Sequence, residues 1–481
     1  MTTPTPTPTP TTSQLSALEA LLKSHPSIIY TPPTSPSFSS AARVWNNSRH
    51  AANTPLAVVQ PQSPSDVAAL IEFTKQTSIP FTIRAGGHNL EGKALVDKAL
   101  LIDLRAFTSV AVAEDRKSAT VGGGILQQEL GNRLWEEGLA TPTGAVPAVG
   151  YVGWAIYGGY GPFSSHWGLG VDQIIGATVV TADGEIVAAD EERLQGIRGA
   201  GGVFGVILDL KIKVYPLTGF LAGAIIFDST EIPTSFTTFN ANYKALLATT
   251  PPPAQLSLQQ IVVNSPHGPT FAAIFVWSGD AASTEEGLSW STKIGALAPL
   301  VVNTVAPTTI PDWFRGNEAL VPENVYGSSW TFDVVFPVSP SLVKALAQNL
   351  GRLPSDPVAM FSLHELRAVS PSVGDQAGKS VFSENARQPH YMIEILGFAT
   401  TDEAREASQV WGARTAEEAE GVARGEGTLL PSVYISLYDS ANASSADGLL
   451  EMVYGEKKEA LKELARRFDP EGVFRLAVPE I

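Results

Sequence analysis

The residues best suited to chemistry form a short glycine-rich segment with a histidine in it. The segment directly follows the predicted strand Phe81–Arg84 and reads Arg84-Ala85-Gly86-Gly87-His88-Asn89-Leu90-Glu91-Gly92. Successive glycine amides after a strand can form a concave anion site, because no Cβ obstructs the approach of a ligand to their N–H groups. The segment therefore suits a pyrophosphate, and His88 offers a nucleophilic imidazole beside it. An ordinary glycine turn followed by a surface histidine is the alternative.

A second concentration of glycine lies between residues 144 and 170, where eight glycines alternate with aromatic residues. Each glycine weakens a helix or strand by about 0.5–1 kcal/mol relative to alanine. Such a stretch indicates close approach of the backbone, either to itself or to a ligand.

Glu394 is a candidate base within the predicted strand Tyr391–Phe398. Strand alternation places it on the face opposite Tyr391, Ile393 and Ile395. Burial among apolar neighbours would raise the pKa of its carboxyl group and suit it to proton transfer. A solvent-facing or ion-paired glutamate is the alternative.

The pair His364-Glu365 follows the apolar run 358–363. One interpretation is contact with a substrate. The other is a structural pair whose polar groups are satisfied within the protein.

The elements that must position these residues follow from hydrophobic patterning and cap signals. Helices are predicted at Ser13–His25, from Pro64 onward with Ser63 as N-cap, at Ile125–Glu137 and at Lys457–Phe468. Strands are predicted at Ala57–Val59, Phe81–Arg84, Leu100–Leu104 and Ser118–Val121, with a hairpin over Ile174–Ala188. An alternating strand over Gly205–Val214 should place on one face Val206, Leu208, Leu210, Ile212 and Val214. Later strands are predicted at Ala222–Phe227, Leu258–Val263, Thr270–Trp277, Tyr391–Phe398 and Ser432–Tyr438.

Length and composition exclude several classes of protein. The chain has 481 residues, of which 44% are hydrophobic, so disorder over most of its length is excluded and more than one core is expected. The net charge of −16 argues against nucleic acid or an anionic membrane surface as a partner. The absence of cysteine excludes disulfides and thiolate metal sites, and the seven dispersed histidines suggest no metal centre.

The N-terminal segment shows no export signal. Residues 1–12 form a Thr-Pro repeat without a basic or apolar region, which is typical of an extended tail. No run approaches the ~18–20 apolar residues that span a bilayer. We therefore expect a cytoplasmic protein without a membrane partner, with secretion as the less favoured alternative.

Three glycine-rich segments follow one another along the chain, at Arg84–Gly92, 144–170 and Arg198–Gly205. Together with Tyr454-Gly455 and the segment 468–474, which reads FDPEGVF, they resemble the FAD-linked oxidases of the vanillyl-alcohol oxidase superfamily. The closer resemblance is to the berberine bridge enzyme-like branch. It is strong over residues 43–217 and looser in the middle of the chain.

This resemblance implies an α+β fold with a two-part FAD-binding domain of the vanillyl-alcohol oxidase type. Residues 1–42 would form a flexible Thr/Pro tail and an N-terminal helix, and residues 43–217 the first part of the FAD-binding domain. Residues 218–427 would form an inserted substrate domain built on an antiparallel sheet covered by helices. Residues 428–481 would return to the FAD-binding domain.

The resemblance also implies FAD bonded covalently to His88 through the flavin 8α-methyl carbon. Relatives with a second bond use a cysteine where this chain has Val146, so only a single link is possible. Val149 takes the position of the family's oxygen gate, where valine leaves room for dioxygen and favours an oxidase over a dehydrogenase. The residues placed against the cofactor are His88, Arg84, Ala85, Gly86, Gly87, Asn89, Gly92, Gly144, Pro147, Val149, Gly150, Gly153, Trp154, Tyr157, Gly158, Gly161, Gly205 and Val206.

The chain departs from the family pattern at two places. Trp154 stands for a histidine and Tyr157 for a glycine, and we expect both bulky residues to narrow the flavin pocket or shift the ring. The family's Tyr-x-Asn-Tyr-x-Asp pattern, whose second tyrosine often acts as base, appears as Tyr434-Ile435-Ser436-Leu437-Tyr438-Asp439. Leu437 therefore aligns with the base, one residue before Tyr438.

The implied activity is an FAD-dependent oxidase. Hydride would pass from a C–H bond of an alcohol, sugar or secondary-metabolite substrate to flavin N5, and dioxygen would be reduced to hydrogen peroxide. The candidate catalytic residues are Tyr438, Glu394 and Tyr434. The implied partners are a small-molecule substrate and dioxygen, and a monomer is expected. The alternative is a flavin-containing scaffold for a non-redox cyclisation, or a catalytically impaired flavin-binding protein.

Overall fold

The structure, a computed structural model, describes residues 12–50, 53–90, 92–318, 321–367 and 379–481. The first 11 residues of the predicted tail and Glu91 of the glycine segment lie outside these ranges. The helices are α1 Thr12–Ser24, α2 Phe38–Ala41, α3 Asn47–His50, α4 Pro64–Thr77, α5 Gln127–Glu136, α6 Tyr151–Ala155, α7 Ser164–Trp167, α8 Glu191–Ala200, α9 Ile232–Thr249, α10 Thr284–Gly295, α11 Ile310–Glu318, α12 Pro340–Leu350, α13 Arg405–Gly425, α14 Ala446–Tyr454 and α15 Lys458–Phe468.

The strands are β1 Ile29–Thr31, β2 Ala57–Gln60, β3 Phe81–Arg84, β4 Leu100–Asp103, β5 Val110–Val112, β6 Ser118–Gly122, β7 Leu139–Ala140, β8 Ile174–Val180, β9 Ile186–Ala188, β10 Val206–Lys213, β11 Tyr215–Pro216, β12 Phe220–Phe227, β13 Leu256–Ser265, β14 Gly268–Trp277, β15 Leu300–Asn303, β16 Ala306–Thr308, β17 Tyr326–Val335, β18 Met360–Leu366, β19 His390–Ala399 and β20 Leu429–Leu430. Short 3-10 helices lie at Gly170–Gln173, Gly201–Val203, Ala281–Ser283, Asn385–Arg387, Ser440–Asn442 and Gly455–Lys457. These elements confirm a mixed α+β fold.

A four-stranded sheet of order β1-β2-β4-β3 begins the first domain. Strands β2, β4 and β3 run parallel, and β1 pairs antiparallel with β2. Helix α1 packs Leu18 into the core of the same sheet. The N-terminal helix expected within residues 1–42 is present as α1, and the same segment also contains β1, which the sequence did not predict. A strand of three residues is too short to show a hydrophobic period.

The predicted start of α4 is confirmed by its hydrogen bonds. The Ser63 hydroxyl accepts the Asp66 N–H at 3.2 Å, and the Asp66 carboxylate accepts the Ser63 N–H at 3.1 Å. This reciprocal capping satisfies two donors that the helix itself leaves unpaired.

The second sheet of the first domain has the order β5-β6-β10-β8-β9 and is antiparallel. In β10 a register shift lies between Ile207 and Asp209. Val206 and Leu208 pack into the core of the first sheet, whereas Leu210 and Ile212 pack into that of the second. The prediction of one shared apolar face is therefore wrong, because the bulge turns the strand between two cores.

The second domain is built on a nine-stranded antiparallel sheet. Its order is β15-β12-β14-β13-β18-β19-β17-β20, and β16 also pairs with β12. Helices α9, α10, α12 and α13 cover one face and enclose a large aromatic and aliphatic core. This is the predicted antiparallel sheet covered by helices. The other face of the sheet is turned towards the first domain and carries polar residues.

The chain leaves this sheet after β20, three residues beyond the predicted boundary at 427. The prediction of a strand over Ser432–Tyr438 is wrong, because the segment is irregular and turns at residues 435–437. A side chain replaces the ladder here: the Tyr434 N–H donates to the Thr331 hydroxyl at 3.0 Å. The segment thus returns to the first domain, where Ile435 joins its core.

Helix α5 of the first domain packs directly on α11 of the second. A Cβ placed on Gly131 would lie 2.5 Å from the Phe314 ring and 2.9 Å from the Ile310 side chain. The missing side chain therefore sets the distance between the two helices.

We predict that Gly131→Ala destabilises the protein, although alanine favours a helix by about 1 kcal/mol. Forced separation of α5 from α11 should cost about 1–3 kcal/mol. Gly421 in α13 is a matched control, because a Cβ there meets nothing within 4 Å. Gly421→Ala should raise stability in the same denaturant titration. Equal shifts of the two midpoints would contradict this account of the contact.

Candidate active site

A buried ion pair holds the base of the glycine loop, residues 85–92. Parallel pairing of β3 with β4 places Arg84 beside Asp103. The Arg84 Nη2 lies 2.5 Å from the Asp103 Oδ2, and Nη1 donates to the Arg43 carbonyl at 2.9 Å. The Arg84 guanidinium thus anchors the loop within the protein, whereas the sequence analysis expected it at the cofactor.

The loop touches the second glycine-rich segment through backbone alone. A Cβ on Gly86 would lie 2.3 Å from the Gly150 nitrogen and 2.9 Å from the Val149 carbonyl carbon. A Cβ on Gly150 would lie 2.8 Å from the Ala85 Cβ. No side chain fits at either position, so the contact requires both glycines.

The loop presents unused donors. Among the described residues, none accepts a hydrogen bond from the backbone N–H groups of residues 85–90. Gly87 has a φ of +74°, which a residue with a side chain rarely adopts. Gly153 is exposed, and a Cβ on it would meet nothing within 4 Å. Free successive amides beside open space fit the pyrophosphate of the implied FAD.

Asn89 shapes the far end of the loop. Its side-chain Oδ1 accepts the Lys93 N–H at 2.9 Å, and its carbonyl accepts the Gly92 N–H at 3.3 Å. Gly92 has a φ of +76° at this turn. Both predicted cofactor residues therefore contribute to the shape of the loop.

His88 is half-buried and lies against the indole of Trp45. The two ring centroids are 5.2 Å apart, with an angle of 23° between the planes. Burial, assisted by the positive charge of Arg105, lowers the pKa of His88 to about 4. Arg105 is held in place by a 2.5 Å hydrogen bond from its Nε to the Ala85 carbonyl. The imidazole is consequently neutral near pH 7 and keeps a lone pair for bond formation.

The two bulky departures from the family pattern are accommodated within the protein. Trp154 is buried in a cradle of glycines, since a Cβ on Gly170 would lie 2.4 Å from its ring, and its Nε1 donates to the Tyr160 carbonyl at 3.1 Å. The Tyr157 hydroxyl donates to the Val478 carbonyl at 2.7 Å and so anchors the C-terminal segment. These contacts hold both side chains within the protein, and the expectation that they narrow the flavin pocket or shift the ring stays a prediction.

Several other predicted cofactor residues make close contacts within the protein. A Cβ on Gly144 would lie 3.2 Å from the Trp154 Nε1, and a Cβ on Gly161 would lie 1.9 Å from the Thr143 carbonyl oxygen. The Pro147 carbonyl accepts the Gln128 N–H. Gly158 lies against the Phe382 ring and Gly205 against Val180. Val206 packs into the core of the first sheet. The sequence pattern located this segment but did not separate packing glycines from exposed ones.

Glu394 lies on the polar face of the nine-stranded sheet and is 5% exposed. Antiparallel pairing of β18 with β19 places Ser362 directly opposite it. Its Oε2 accepts the Ser362 hydroxyl at 2.7 Å and lies 3.0 Å from the His364 Nε2. The side-chain amide of Gln259 lies 3.0 Å from the same His364 nitrogen. Glu394 is therefore a buried carboxylate held by two polar partners.

The structure separates the sequence pair His364-Glu365. His364 joins Glu394 on the polar face, whereas Glu365 points into the helix-covered core. There its carboxylate accepts the Tyr243 hydroxyl at 2.9 Å and the Arg367 guanidinium. Adjacent residues of a strand point to opposite faces, so the two side chains have different roles.

The two candidate tyrosines lie in different surroundings. Tyr434 packs edge-on against Tyr160, with ring centroids 5.1 Å apart, and its pKa is raised by burial and by the charge of nearby Glu394. Tyr438 packs instead into the core of the first domain. Its pKa is raised to about 12, by burial first and then by two carboxylates, Glu420 and Asp439. The structure thus groups Tyr434, and not Tyr438, with Glu394.

One face of β19 connects Glu394 with the surroundings of His88. Leu396 and Phe398 lie on this face and pack in one cluster with Leu90 and Trp45. Glu394 lies two residues before Leu396, roughly 7 Å along the strand. The His88 loop and the polar sheet face are therefore joined through this cluster, in which Leu437 also packs.

Sequence reasoning missed the residues that a fold brings together. Trp45, Arg105 and Tyr160 carried no recognisable motif, although each contacts a predicted site residue. The Tyr160 hydroxyl lies 2.7 Å from the His390 Nε2, which joins the glycine segment to β19. Alternation in β18, with Ser362 and His364 on either side of Leu363, is the signal that could have identified a polar sheet face.

Comparison with known proteins agrees with these features. A family described as an FAD binding domain matches residues 55–190. The FAD-linked oxidoreductase aurO of Gibberella zeae is 30% identical over 472 residues, which cover 96% of this chain and 87% of that protein.

Solved structures share the fold over nearly the whole chain. A variant of berberine bridge enzyme in complex with (S)-reticuline has a TM-score of 0.80 at 16% identity, covering 98% of this chain and 100% of that chain. The 6-hydroxy-D-nicotine oxidase from Arthrobacter nicotinovorans has a TM-score of 0.76 at 22% identity, covering 94% and 97%.

The part of the chain that the structure describes contains neither a membrane-spanning helix nor a metal site. Among the helices of the described ranges, none is both long and apolar enough to traverse a bilayer. No group of three or more His, Asp or Glu side chains in the same ranges is arranged to hold a metal ion.

The lowered pKa of His88 predicts a pH-dependent stability. The unfolded chain takes up a proton near pH 6.5, whereas folded His88 does so near pH 4, so the stability of flavin-free protein falls as the pH decreases between these values. Relative to His88→Asn, the wild type should lose about 1–3 kcal/mol of unfolding free energy from pH 7 to pH 4.5. Denaturant titrations at both pH values measure this difference. If the difference in unfolding free energy between wild type and His88→Asn stays constant with pH, the pKa of His88 is not lowered in the folded protein.

Proposed function

Because this chain belongs to the berberine bridge enzyme-like family of FAD-linked oxidoreductases, we propose that it is an oxidase with one covalent FAD on His88. Its substrate would be an alcohol, sugar or secondary metabolite with an oxidisable C–H bond. When bound, FAD supplies the hydride acceptor at N5 and passes the electrons to dioxygen, which leaves as hydrogen peroxide.

Different residues would bind the pyrophosphate and the flavin ring of the cofactor. The N–H groups of residues 85–90, which donate to no described residue, would bind the pyrophosphate. His88 is neutral and therefore able to bond to carbon. Since the chain has no cysteine, His88 is the single protein link that the family pattern allows.

The observation that carries the proposal is the position of Glu394. Its carboxylate lies on the sheet face that leads along β19 to the cluster beside His88, and Ser362 and His364 fix its Oε2. We place the substrate cleft between this face and the His88 loop. From there Glu394 can accept the proton of a substrate O–H or N–H group while hydride leaves the adjacent carbon. The fixed carboxylate also orients that group by a hydrogen bond.

The position of Leu437 supports Glu394 as the base. Leu437 packs beside the cleft, where the family pattern has its catalytic tyrosine, and it has no group that takes a proton. Tyr438 lies in the core of the first domain. Tyr434 packs against Tyr160 near Glu394, and we assign it to lining the cleft.

The contacts of Trp154 and Tyr157 weaken the scaffold alternative. That alternative depended on two bulky side chains crowding the flavin, and both are engaged within the protein. The altered tyrosine motif remains its only support.

The proposal is tested by mixing purified holoprotein with aromatic and aliphatic alcohols, mono- and oligosaccharides, and hydroxylated cyclic amines. Peroxide is measured in air, and loss of the flavin absorbance is measured without oxygen. One compound that gives both signals is the expected result. Bleaching without peroxide would indicate a dehydrogenase. A flavin that neither a substrate nor light reduces would favour the scaffold.

We predict that Glu394→Gln lowers the rate of flavin reduction by about 10²–10⁴-fold, because the amide cannot accept a proton. FAD content should be unchanged. Tyr438→Phe is the control and should stay within about twofold of wild type, since Tyr438 does not face the cleft. Stopped-flow absorbance measures both. A larger loss in Tyr438→Phe than in Glu394→Gln would reverse the assignment.

We predict that Val149 controls the access of dioxygen to the reduced flavin. Val149→Leu adds a methylene at the implied oxygen gate and should slow reoxidation of the reduced flavin by about tenfold or more. Flavin reduction by substrate should change little. Val187→Leu makes the same chemical change in β9, at another partly buried valine packed on the same core, and should leave both steps unaltered. Rapid mixing with oxygenated buffer measures the rates, and unchanged reoxidation in Val149→Leu would exclude this gate.

A further inference from the structure

Trp45 occupies a position that the proposed function does not explain. Its indole stacks on the His88 imidazole at a centroid distance of 5.2 Å. The neighbouring residues Val44 and Asn46 are buried, whereas Trp45 itself is half-buried. The indole packs against the cluster of Leu90, Val325 and Phe398 and also stacks on the histidine.

Both domains fix the orientation of this indole. The Trp45 backbone N–H donates to the Gly87 carbonyl at 3.0 Å, next to His88. Its Nε1 donates to the Pro322 carbonyl at 2.9 Å, and its carbonyl accepts the Val325 N–H at 3.1 Å. The Phe398 ring meets it edge-on at 5.5 Å. An aromatic ring held on so many sides can determine the orientation of a ring stacked on it.

Attachment of a flavin to His88 places a specific demand on the imidazole. A bond forms between an imidazole nitrogen and the 8α carbon, while the methyl group loses one hydrogen and the imidazole its N–H proton. The two electrons released by this bond formation pass to the flavin and then to dioxygen. Dioxygen is thereby reduced to hydrogen peroxide, so that atoms and electrons balance. Until its proton departs, the alkylated imidazole is positively charged. An aromatic face attracts such a charge.

We propose that Trp45 is a positioning residue for covalent flavin attachment, which holds the His88 ring in the attacking orientation and stabilises the positive charge that develops on it. This inference rests on the proposed bond between FAD and His88. It assigns to Trp45 a role in maturation of the enzyme that is separate from turnover of the substrate.

The test compares attachment rates in folded proteins expressed under flavin limitation. FAD is added to wild type, Trp45→Phe and Trp45→Leu, and the flavin that stays with acid-precipitated protein is followed over time. Non-covalent FAD binding is measured separately by quenching of flavin fluorescence. Trp313→Phe is the matched control, because Trp313 is a half-buried tryptophan packed against Phe220, away from the loop.

Attachment should slow by about tenfold or more in Trp45→Leu, and by only a few-fold in Trp45→Phe, because phenylalanine keeps a weaker aromatic face. FAD affinity and the control should match wild type. Trp45→Met replaces the leucine variant if that variant does not fold.

Wild-type attachment rates in the folded non-aromatic variant would overturn the inference. Equal losses in the phenylalanine and non-aromatic variants would also overturn it, because they would indicate simple loss of packing. Wild-type protein without acid-stable flavin would refute the proposed bond between FAD and His88. The wild-type sample alone therefore separates failure of the proposed function from failure of the inference about Trp45.

Discussion

The architecture of the site depends on a close contact between two chain segments at Gly86 and Gly150, where neither residue has room for a side chain. A Cβ on Gly86 would lie 2.3 Å from the Gly150 nitrogen, and a Cβ on Gly150 would lie 2.8 Å from the Ala85 Cβ. This contact joins the loop after β3 to the segment that leads into α6. No described residue accepts a hydrogen bond from the amides of residues 85–90, so these amides are available to a ligand. His88 follows this contact directly, so its position depends on a separation that any Cβ would increase.

Strand register supplies the second constraint, and it acts on both sides of the cleft. Parallel pairing sets Arg84 beside Asp103 at the base of the loop, and antiparallel pairing sets Ser362 beside Glu394 in the opposite sheet. In each case a charged group is buried together with a fixed partner, which reduces the cost of its desolvation. The site is therefore assembled from residues that are distant in sequence but adjacent in register. Trp45 joins the two sides by hydrogen bonds to both domains.

The sequence predicted those features that a local pattern encodes. The N-cap at Ser63 and the loop after β3 follow from residue types at fixed spacing, whereas the antiparallel second domain was implied by the family resemblance. The structure confirms all three. It did not predict the bulge in β10 or the irregular path after β20, because both depend on partners in other strands. The environment of Trp154 shows the same limit. A bulky residue in a glycine-rich segment suggested crowding, whereas the cradle formed by Gly144, Gly159 and Gly170 accommodates it.

The central claim is that the loop at residues 85–92 binds FAD and that His88 bonds to it. The most direct measurement is acid precipitation of the purified holoprotein, followed by protease digestion and mass mapping of any flavin-bearing peptide. The account predicts that the yellow colour stays with the precipitate and that the peptide containing His88 carries one flavin. Flavin found wholly in the supernatant, or on a peptide without His88, would contradict it.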